Sequence, residues 1–237
     1  MKKFDITQGI AYYIGADIKT DKHSHHALEF IFGLEKPFDF YTSDAEFKNI
    51  YGVLVAPDVV HQFIGNKSEY LFVFLEPELL QSKEIMDFYQ LKSFKTKELS
   101  SLTSKVNTNE ILNFSFFYEN LKVPISITPE KNITDERINH ITDFIYNNLE
   151  IGKLKSKILA NQIHLSESRF LHLFKEQLFL PLRKYILWCR IQKALIQIKK
   201  SHNFTSAAHS AGFSDSAHFS RTFFKMFGVS PSTLFKR

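Results

Sequence analysis

The sequence predicts an α+β protein with two domains, an N-terminal antiparallel β-barrel with added helices and a C-terminal all-α domain with two helix-turn-helix units. The barrel is indicated by short apolar runs broken by glycine and proline, and the helices by apolar residues spaced three and four apart in the last hundred positions. Residues 1–130 contain 13 Lys and Arg against 18 Asp and Glu, whereas residues 131–237 contain 17 against 7. We therefore expect only the second half to bind a polyanion, although lysines that merely keep a domain dissolved would give the same imbalance.

The predicted barrel occupies residues 1–77. Its apolar runs are rich in β-branched and aromatic residues, and several short strands at such spacing favour an antiparallel barrel or sandwich. The predicted strands cover residues 11–14, 28–32, 38–41, 51–55 and 70–75. Aromatic side chains along them are expected to fill the interior, and the mouth of the barrel is the expected site for a small effector.

Residues 78–123 contain no glycine or proline, and their apolar residues predict two or more helices around a polar loop at 95–109. We expect this segment to couple the domains and to form a dimer interface; packing against the barrel's own flank is the alternative. The dimer anchors would be Phe114, Phe116, Phe117 and Tyr118. A monomer observed by sedimentation equilibrium at micromolar concentration would exclude the predicted dimer. A linker with two prolines is predicted at 124–134.

The rest of the chain, 135–237, is predicted to be helical. Asp135 is the expected N-cap of a helix with isoleucines at spacings of three and four, and Ser166 is the expected N-cap of another. A long helix follows Pro181, and shorter helices are predicted at 158–163 and 205–211.

Part of this region is repeated. The order alanine, three residues, turn residue, apolar residue, serine occurs at 160–166 and again at 208–214. A short helix, a tight turn, a capping serine and an amphipathic helix form the layout of a helix-turn-helix. Gly212 supplies a turn residue that can adopt a positive φ. In the second copy Ser214 or Asp215 would cap the amphipathic helix, whose predicted buried stripe is Phe219, Thr222, Phe223, Met226 and Phe227.

The residues off the buried stripe form a candidate DNA-binding surface. Polar side chains near a helix N-terminus can contact base edges, and arginine can make two hydrogen bonds to guanine. An ordinary solvated helix face is the alternative for any one residue, but its recurrence in two copies within the basic half favours nucleic acid. The candidates are Ser168, Arg169, Leu171, His172 and Lys175 in the first copy and Ser216, Ala217, His218, Ser220, Arg221 and Lys225 in the second.

The last hundred residues resemble the DNA-binding domain of AraC/XylS-type transcriptional regulators. The matching residues of the second copy are Ala208, Gly212, Phe213, Ser214, Asp215, His218, Phe219, Ser220, Arg221, Phe223, Phe227, Gly228, Val229 and Pro231. Those of the first copy are Leu159, Ala160, Leu165, Ser166, Phe170, Phe174, Lys175, Tyr185 and Arg190. The resemblance implies two helix-turn-helix units joined by the helix at 182–198, with recognition helices in successive major-groove segments about 34 Å apart.

The first copy departs from that pattern. His164 and Phe179 stand where glycine is common, and a left-handed conformation at Phe179 would cost roughly 1 kcal/mol or more. Leu171 and His172 occupy positions that are often polar or basic in the family. We therefore expect the second unit, with Arg221, to be better formed and to bind specific bases more strongly.

A histidine-rich segment marks the predicted barrel. His23, His25 and Glu29 have the HxHx3E spacing of the first metal motif of cupins, and His61 would supply the last ligand, so the region resembles a cupin-like sensor domain. Three imidazoles and a carboxylate suit a divalent metal such as Zn, Fe, Mn or Ni. Polar groups at a strand edge without any metal are the alternative, and no other cofactor is expected.

Three functions compete at this stage. The first is a transcriptional regulator that responds to a small-molecule effector and is not an enzyme. The second is a metal-dependent cupin protein, sensor or enzyme, with a DNA-targeting domain. The third, a passive nucleoid-binding protein, is disfavoured because it needs no sensor domain. The sequence contains no P-loop, GxGxxG fingerprint or Ser-His-Asp signature.

Partners and location follow from the same features. We expect double-stranded DNA, a small-molecule effector, a second copy of the chain and RNA polymerase as partners, and no membrane. The single cysteine, Cys189, fits a reducing compartment, and the N-terminus lacks the apolar run of a signal peptide. The expected location is the cytoplasm.

Overall fold

The computed structural model describes residues 4–7, 9–99, 133–149, 154–201 and 203–235. They divide into two compact units, one that contains the described residues up to 99 together with 224–235, and one that spans 133–223. The four aromatic dimer anchors and most of the predicted linker lie outside the described residues.

The first unit contains two antiparallel sheets. The larger has the order β1-β2-β8-β3-β6-β9, and the smaller has the order β5-β4-β7. The strands of the larger sheet are β1 (Phe4–Thr7), β2 (Ile10–Ala16), β3 (Leu28–Gly33), β6 (Gly52–Val55), β8 (Glu69–Leu75) and β9 (Thr96–Glu98). Those of the smaller sheet are β4 (Phe38–Thr42), β5 (Glu46–Ile50) and β7 (His61–Ile64).

The predicted antiparallel β architecture is confirmed, and the strands of the described residues do not close into one barrel. Among the described residues the ladders form two separate sheets, and isolated bridges pair Lys19 and His23 of the β2–β3 connection with β7. One edge of the larger sheet ends in β9, which pairs Lys97 with Leu54 inside the segment predicted to be a polar loop. The backbone of a polar segment can complete a sheet edge because its side chains remain in water, so this pairing overrides the low β-propensity.

Aromatic residues fill the space between the sheets. Phe38, Phe40 and Phe63 of the smaller sheet pack with Ile31 and Phe72 of the larger one. Alternate residues of a strand face opposite sides, so the other face of the larger sheet needs its own cover. That cover includes Ile85 of α1 (Leu80–Phe88) and Leu91 of α2 (Leu91–Phe94). Because β3 is covered on both faces, all its residues are buried.

The second unit is helical, as predicted. Its helices are α3 (Glu136–Asn147), α4 (Ser156–Gln162), α5 (Glu167–Leu178), α6 (Leu182–Ser201), α7 (Phe204–Ser210) and the first part of α8 (Ser216–Phe227). α9 (Pro231–Phe235) belongs to the first unit. Asp135 and Ser166 accept backbone N–H groups of α3 and α5 and so confirm the predicted caps. No described helix has the length and hydropathy that a bilayer span requires.

Candidate nucleic-acid interface

The two helix-turn-helix turns have the same backbone geometry. In the first copy, the N–H of Leu165 donates to the carbonyl of Ala160 at 3.0 Å. In the second, the N–H of Phe213 donates to the carbonyl of Ala208, also at 3.0 Å. This bond across five residues, with a left-handed residue before its donor, is the Schellman pattern that ends a helix. The sequence repeat at an offset of 48 is therefore a structural repeat.

The left-handed positions explain the glycines of the second copy. Gly212 has φ 81° and Gly228 has φ 65°, whereas the equivalent residues of the first copy, His164 and Phe179, have φ 54° and 56°. Side chains with a Cβ are strained in this conformation, so the first copy carries a cost that the second avoids. The expected cost at Phe179 is thus present, and its side chain is 75% exposed.

Asp215 is the N-cap of α8. Its Oδ1 accepts the backbone N–H of His218 at 2.6 Å, and its Oδ2 accepts the hydroxyl of Ser214 at 2.9 Å. These bonds hold the pKa of the Asp215 carboxyl below its usual range, with the His218 amide as the main cause. The ring of His218 lies against Phe213 and within 3.2 Å of the Ser214 hydroxyl, so it braces the turn.

α8 has a buried side and an exposed side. Phe219 and Phe223 are fully buried. The other members of the predicted stripe, Thr222, Met226 and Phe227, are only partly buried, so the stripe is narrower than its spacing indicates. Of the candidate DNA-binding residues, Ala217, Arg221 and Lys225 are exposed, while Ser216, His218 and Ser220 are partly exposed.

α5 presents all its candidate residues to solvent. Ser168, Arg169, Leu171, His172 and Lys175 are exposed. Two acidic residues that are not among the predicted DNA-binding residues lie on the same helix. Glu176 lies 3.8 Å from His172, and Glu167 accepts a hydrogen bond from the Ser156 hydroxyl.

The two helices therefore differ in charge. α5 has two basic residues, Arg169 and Lys175, and two acidic ones, Glu167 and Glu176. α8 has the basic residues Arg221 and Lys225 and no acidic residue along its length. Because a phosphate backbone repels carboxylates, α8 presents the more favourable surface to DNA.

The side chain of Arg190 in α6 lies beside Gly212 in the second turn. A Cβ added at Gly212 would come within 3.1 Å of the Arg190 Nε and would clash with the carbonyl of Leu149. Burial lowers the pKa of the Arg190 guanidinium, and its Nε lacks a hydrogen-bond partner among the described residues. The sequence marked Arg190 only through the family resemblance, since a long-range contact leaves no local pattern.

The four predicted metal ligands of the first unit lie together. His23, His25, Glu29 and His61 are all buried. The Glu29 Oε2 lies 3.2 Å from the Nε2 of both His25 and His61. Burial, together with the neighbouring His61 and His25, lowers the pKa of His23 to about 3.

A buried pair of His26 and Glu78 was not predicted from the sequence. The Nε2 of His26 lies 3.1 Å from the Oε1 of Glu78, and its Nδ1 lies 3.7 Å from Asp58. Burial alone would lower the pKa of His26, but the nearby carboxylates of Asp58 and Glu78 outweigh it and raise the pKa to about 9. This pair ties the segment before β3 to the residues before α1.

The first unit also contains a cavity of about 580 Å³. Both polar and apolar side chains line it, including Thr42, Phe47, Val59 and Lys95, and Ala45 lies in its wall. The Lys95 Nζ lies 3.7 Å from an oxygen of Asp44, which also lines the cavity. A cavity of this size can hold a small organic molecule.

Known proteins resemble this chain in both halves. A family model described as a helix-turn-helix domain matches residues 159–237. The Msm operon regulatory protein of Streptococcus mutans is 26% identical over 185 residues, which cover 72% of this chain and 64% of that protein, just under two thirds of its length. The probable transcriptional regulator LumQ of Photobacterium leiognathi is 24% identical over 225 residues, 89% of this chain and 90% of that protein.

One solved structure has a similar fold over nearly the whole chain. ToxT from Vibrio cholerae, crystallised with a bound unsaturated fatty acid, has a TM-score of 0.57 and 12% sequence identity, and the match covers 98% of this chain and 96% of ToxT. At that identity the likeness concerns the fold.

Proposed function

We propose that the chain is a transcriptional regulator of the AraC/XylS family, which binds specific DNA sequences through α5 and α8. The observation that carries this proposal is the repeated turn geometry, which presents an exposed helix face in each copy. Two helices held in this way can enter successive major-groove segments.

α8 is the helix that we propose to bind bases most specifically. Arg221 is exposed, α8 carries no carboxylate, and the left-handed positions in the turn before it and directly after it are both glycines. Arg221 can donate two hydrogen bonds to a guanine, while Lys225 in the last turn suits a phosphate contact. α5, with balanced charge and the apolar Leu171 on its face, would contribute shape and phosphate contacts.

The substitution Arg221→Ala tests this assignment. Loss of a bidentate guanine contact costs about 1–3 kcal/mol, which corresponds to about a 5- to 150-fold weaker affinity. The assay is fluorescence anisotropy at constant ionic strength, with an operator mapped by genome-wide binding and with a random duplex. Because Arg221 is exposed, the fold should not change.

Lys225→Ala is the matched control on the same helix. A lost phosphate contact weakens operator and random DNA alike and lowers the slope of log affinity against log salt by about 1. Arg221→Ala should instead reduce the ratio of the two affinities. An Arg221→Ala protein that binds the operator as tightly as the wild type would refute the assignment.

We further propose that a small-molecule effector binds in the cavity of the first unit. Its volume of about 580 Å³ and its mixed lining suit an organic molecule with apolar and polar parts. The fatty acid found in ToxT is one such molecule, which supports this class of effector.

The remaining parts of the proposed function rest on the sequence and the family. They are that the chain acts in the cytoplasm, forms a homodimer, contacts RNA polymerase and catalyses no reaction. The proposed dimer anchors lie outside the described residues.

A further inference from the structure

We propose that His23, His25 and His61 bind a divalent transition-metal ion, with Glu29 as the neighbouring carboxylate. One ring nitrogen of each histidine lies within 4.8 Å of the others. His61 is the first residue of β7, and an antiparallel bridge pairs its backbone with that of His23. The bridge, rather than the sequence spacing, brings the third imidazole to the other two.

Backbone carbonyls determine which nitrogen of two rings carries the proton. The Nδ1 of His23 lies 2.8 Å from the carbonyl oxygen of Asp21, and the Nδ1 of His61 lies 2.9 Å from that of Val59. A carbonyl only accepts, so each Nδ1 must donate. In the neutral rings the Nε2 atoms are therefore unprotonated, which is the state that binds a metal.

This tautomer leaves an unfavourable contact that a cation would remove. The Nε2 of His61 lies 3.2 Å from the Oε2 of Glu29 and has no hydrogen-bond partner among the described residues. A neutral imidazole nitrogen and a carboxylate oxygen are both acceptors, and burial prevents water from separating them. A metal ion between these lone pairs would accept both and so remove the repulsion.

His25 completes the ligand set. Its Nε2 lies 3.2 Å from the same Glu29 oxygen, which can accept its N–H. Its buried Nδ1 then has a free lone pair and no partner among the described residues. A carboxylate that orients a ligating histidine is a recurrent partner in metal sites.

The donor set and its surroundings define the class of ion. Imidazole nitrogens favour Zn, Fe, Co, Ni or Cu over Mg or Ca. A tetrahedral zinc at about 2.0–2.1 Å from each nitrogen would hold the nitrogens about 3.4 Å apart, so modest side-chain rotation from the present positions is sufficient. The rings of Phe74 and Phe227 lie 5.3 and 5.8 Å from that of His25 and shield the cluster.

Metal binding at this site would also order residues 224–235, the C-terminal segment of the first unit. The Asp21 carbonyl accepts from His23, while the Asp21 N–H donates to the carbonyl of Gly228 at 3.0 Å. A metal that holds the His23 ring in place therefore constrains Asp21 and, through it, Gly228. Residues 224–235 belong to the same compact unit as the sheets.

The test uses the full chain, freed of any affinity tag and stripped of metal with a chelator. Zn(II) is titrated in competition with a chromophoric chelator, and we expect one ion per chain. His61→Gln and His23→Gln should each weaken zinc binding by about tenfold or more. Even the loss of a residue that only hydrogen-bonds to a ligand lowers metal affinity by about 10- to 100-fold. His140→Gln, on the exposed side of α3, should leave it unchanged.

X-ray absorption of the zinc-loaded wild type keeps the test decisive if the variants fail to fold. Imidazole scattering with zinc–nitrogen distances of about 2.0–2.1 Å supports the site. Amide exchange at residues 19–25 should also slow when zinc is added. Absence of tight zinc binding, or binding that persists equally in both histidine variants, overturns the proposal.

Discussion

Replacing Gly212 with alanine should destabilise the second helix-turn-helix unit by about 1–5 kcal/mol. The residue has φ 81°, and an L-residue in the left-handed region costs roughly 1–2 kcal/mol. The new Cβ would lie 3.0 Å from the carbonyl carbon of Leu149 and even closer to its oxygen, so buried backbone would have to move, at about 1–3 kcal/mol. The smaller backbone entropy of unfolded alanine returns about 0.4–1 kcal/mol.

The single tryptophan of the chain provides a local assay. Trp188 is buried in α6, so its fluorescence reports the unfolding of the helical unit rather than of the sheets. At about 2–4 °C per kcal/mol for a chain of this size, Gly212→Ala should lower the thermal midpoint seen by Trp188 by about 2–20 °C. Far-UV circular dichroism also reports the sheets of the first unit. Below the unfolding transition, the far-UV spectra of Gly212→Ala and the wild type should therefore differ little.

The equivalent position in the first copy provides the matched comparison. His164 is exposed and has φ 54°, so His164→Gly relieves the left-handed strain and should stabilise the unit by about 0.5–1 kcal/mol after the entropy of unfolded glycine is subtracted. The reasoning fails if Gly212→Ala leaves the Trp188 midpoint unchanged, or if both substitutions destabilise equally.

Two further changes test the cap and the cavity. Asp215→Ala should lower the Trp188 unfolding midpoint by about 2–4 °C, because the loss of an N-cap costs about 1 kcal/mol; Asp215→Asn should retain most of the stability, and equal losses in both variants would count against a capping role. Ala45→Phe places a ring in the wall of the 580 Å³ cavity, so a compound that raises the thermal midpoint of the wild type should no longer do so, while the response of Ala45→Ser persists. A response that survives in Ala45→Phe would locate the effector elsewhere.

The candidate site was predictable wherever its signals are local. Caps such as Asp135 and Ser166, the repeat at 160 and 208, and the buried Phe219 and Phe223 all depend on residues within a few positions of each other. Helical periodicity and capping act over that range, so one sequence is enough to find them. The glycines at the turns were predictable for the same reason, because each left-handed residue is a local backbone requirement.

Other features required pairings across long stretches of chain. The sequence favoured an antiparallel barrel or sandwich without deciding between them, whereas the described strands form two sheets, and β9 completes an edge from a segment without an apolar pattern. Likewise Arg190 lies beside Gly212 although the two are 22 residues apart. The spacing of residues along the sequence does not indicate this contact. Such contacts depend on which backbone groups remain unpaired once the rest of the fold has formed.

The sequence by itself determined the residue types of both candidate sites and the helical frame of the DNA-binding one. Only the tertiary structure decided how those residues can act. Glu167 accepts the hydroxyl of Ser156 and Glu176 lies 3.8 Å from His172, so carboxylates lie among the candidate DNA-binding residues of α5. Carbonyls of Asp21 and Val59 fix the protons of two histidines and leave their other nitrogens unprotonated when the rings are neutral. Helical order follows from neighbours along the chain, whereas tautomers and surface charge follow from neighbours in space.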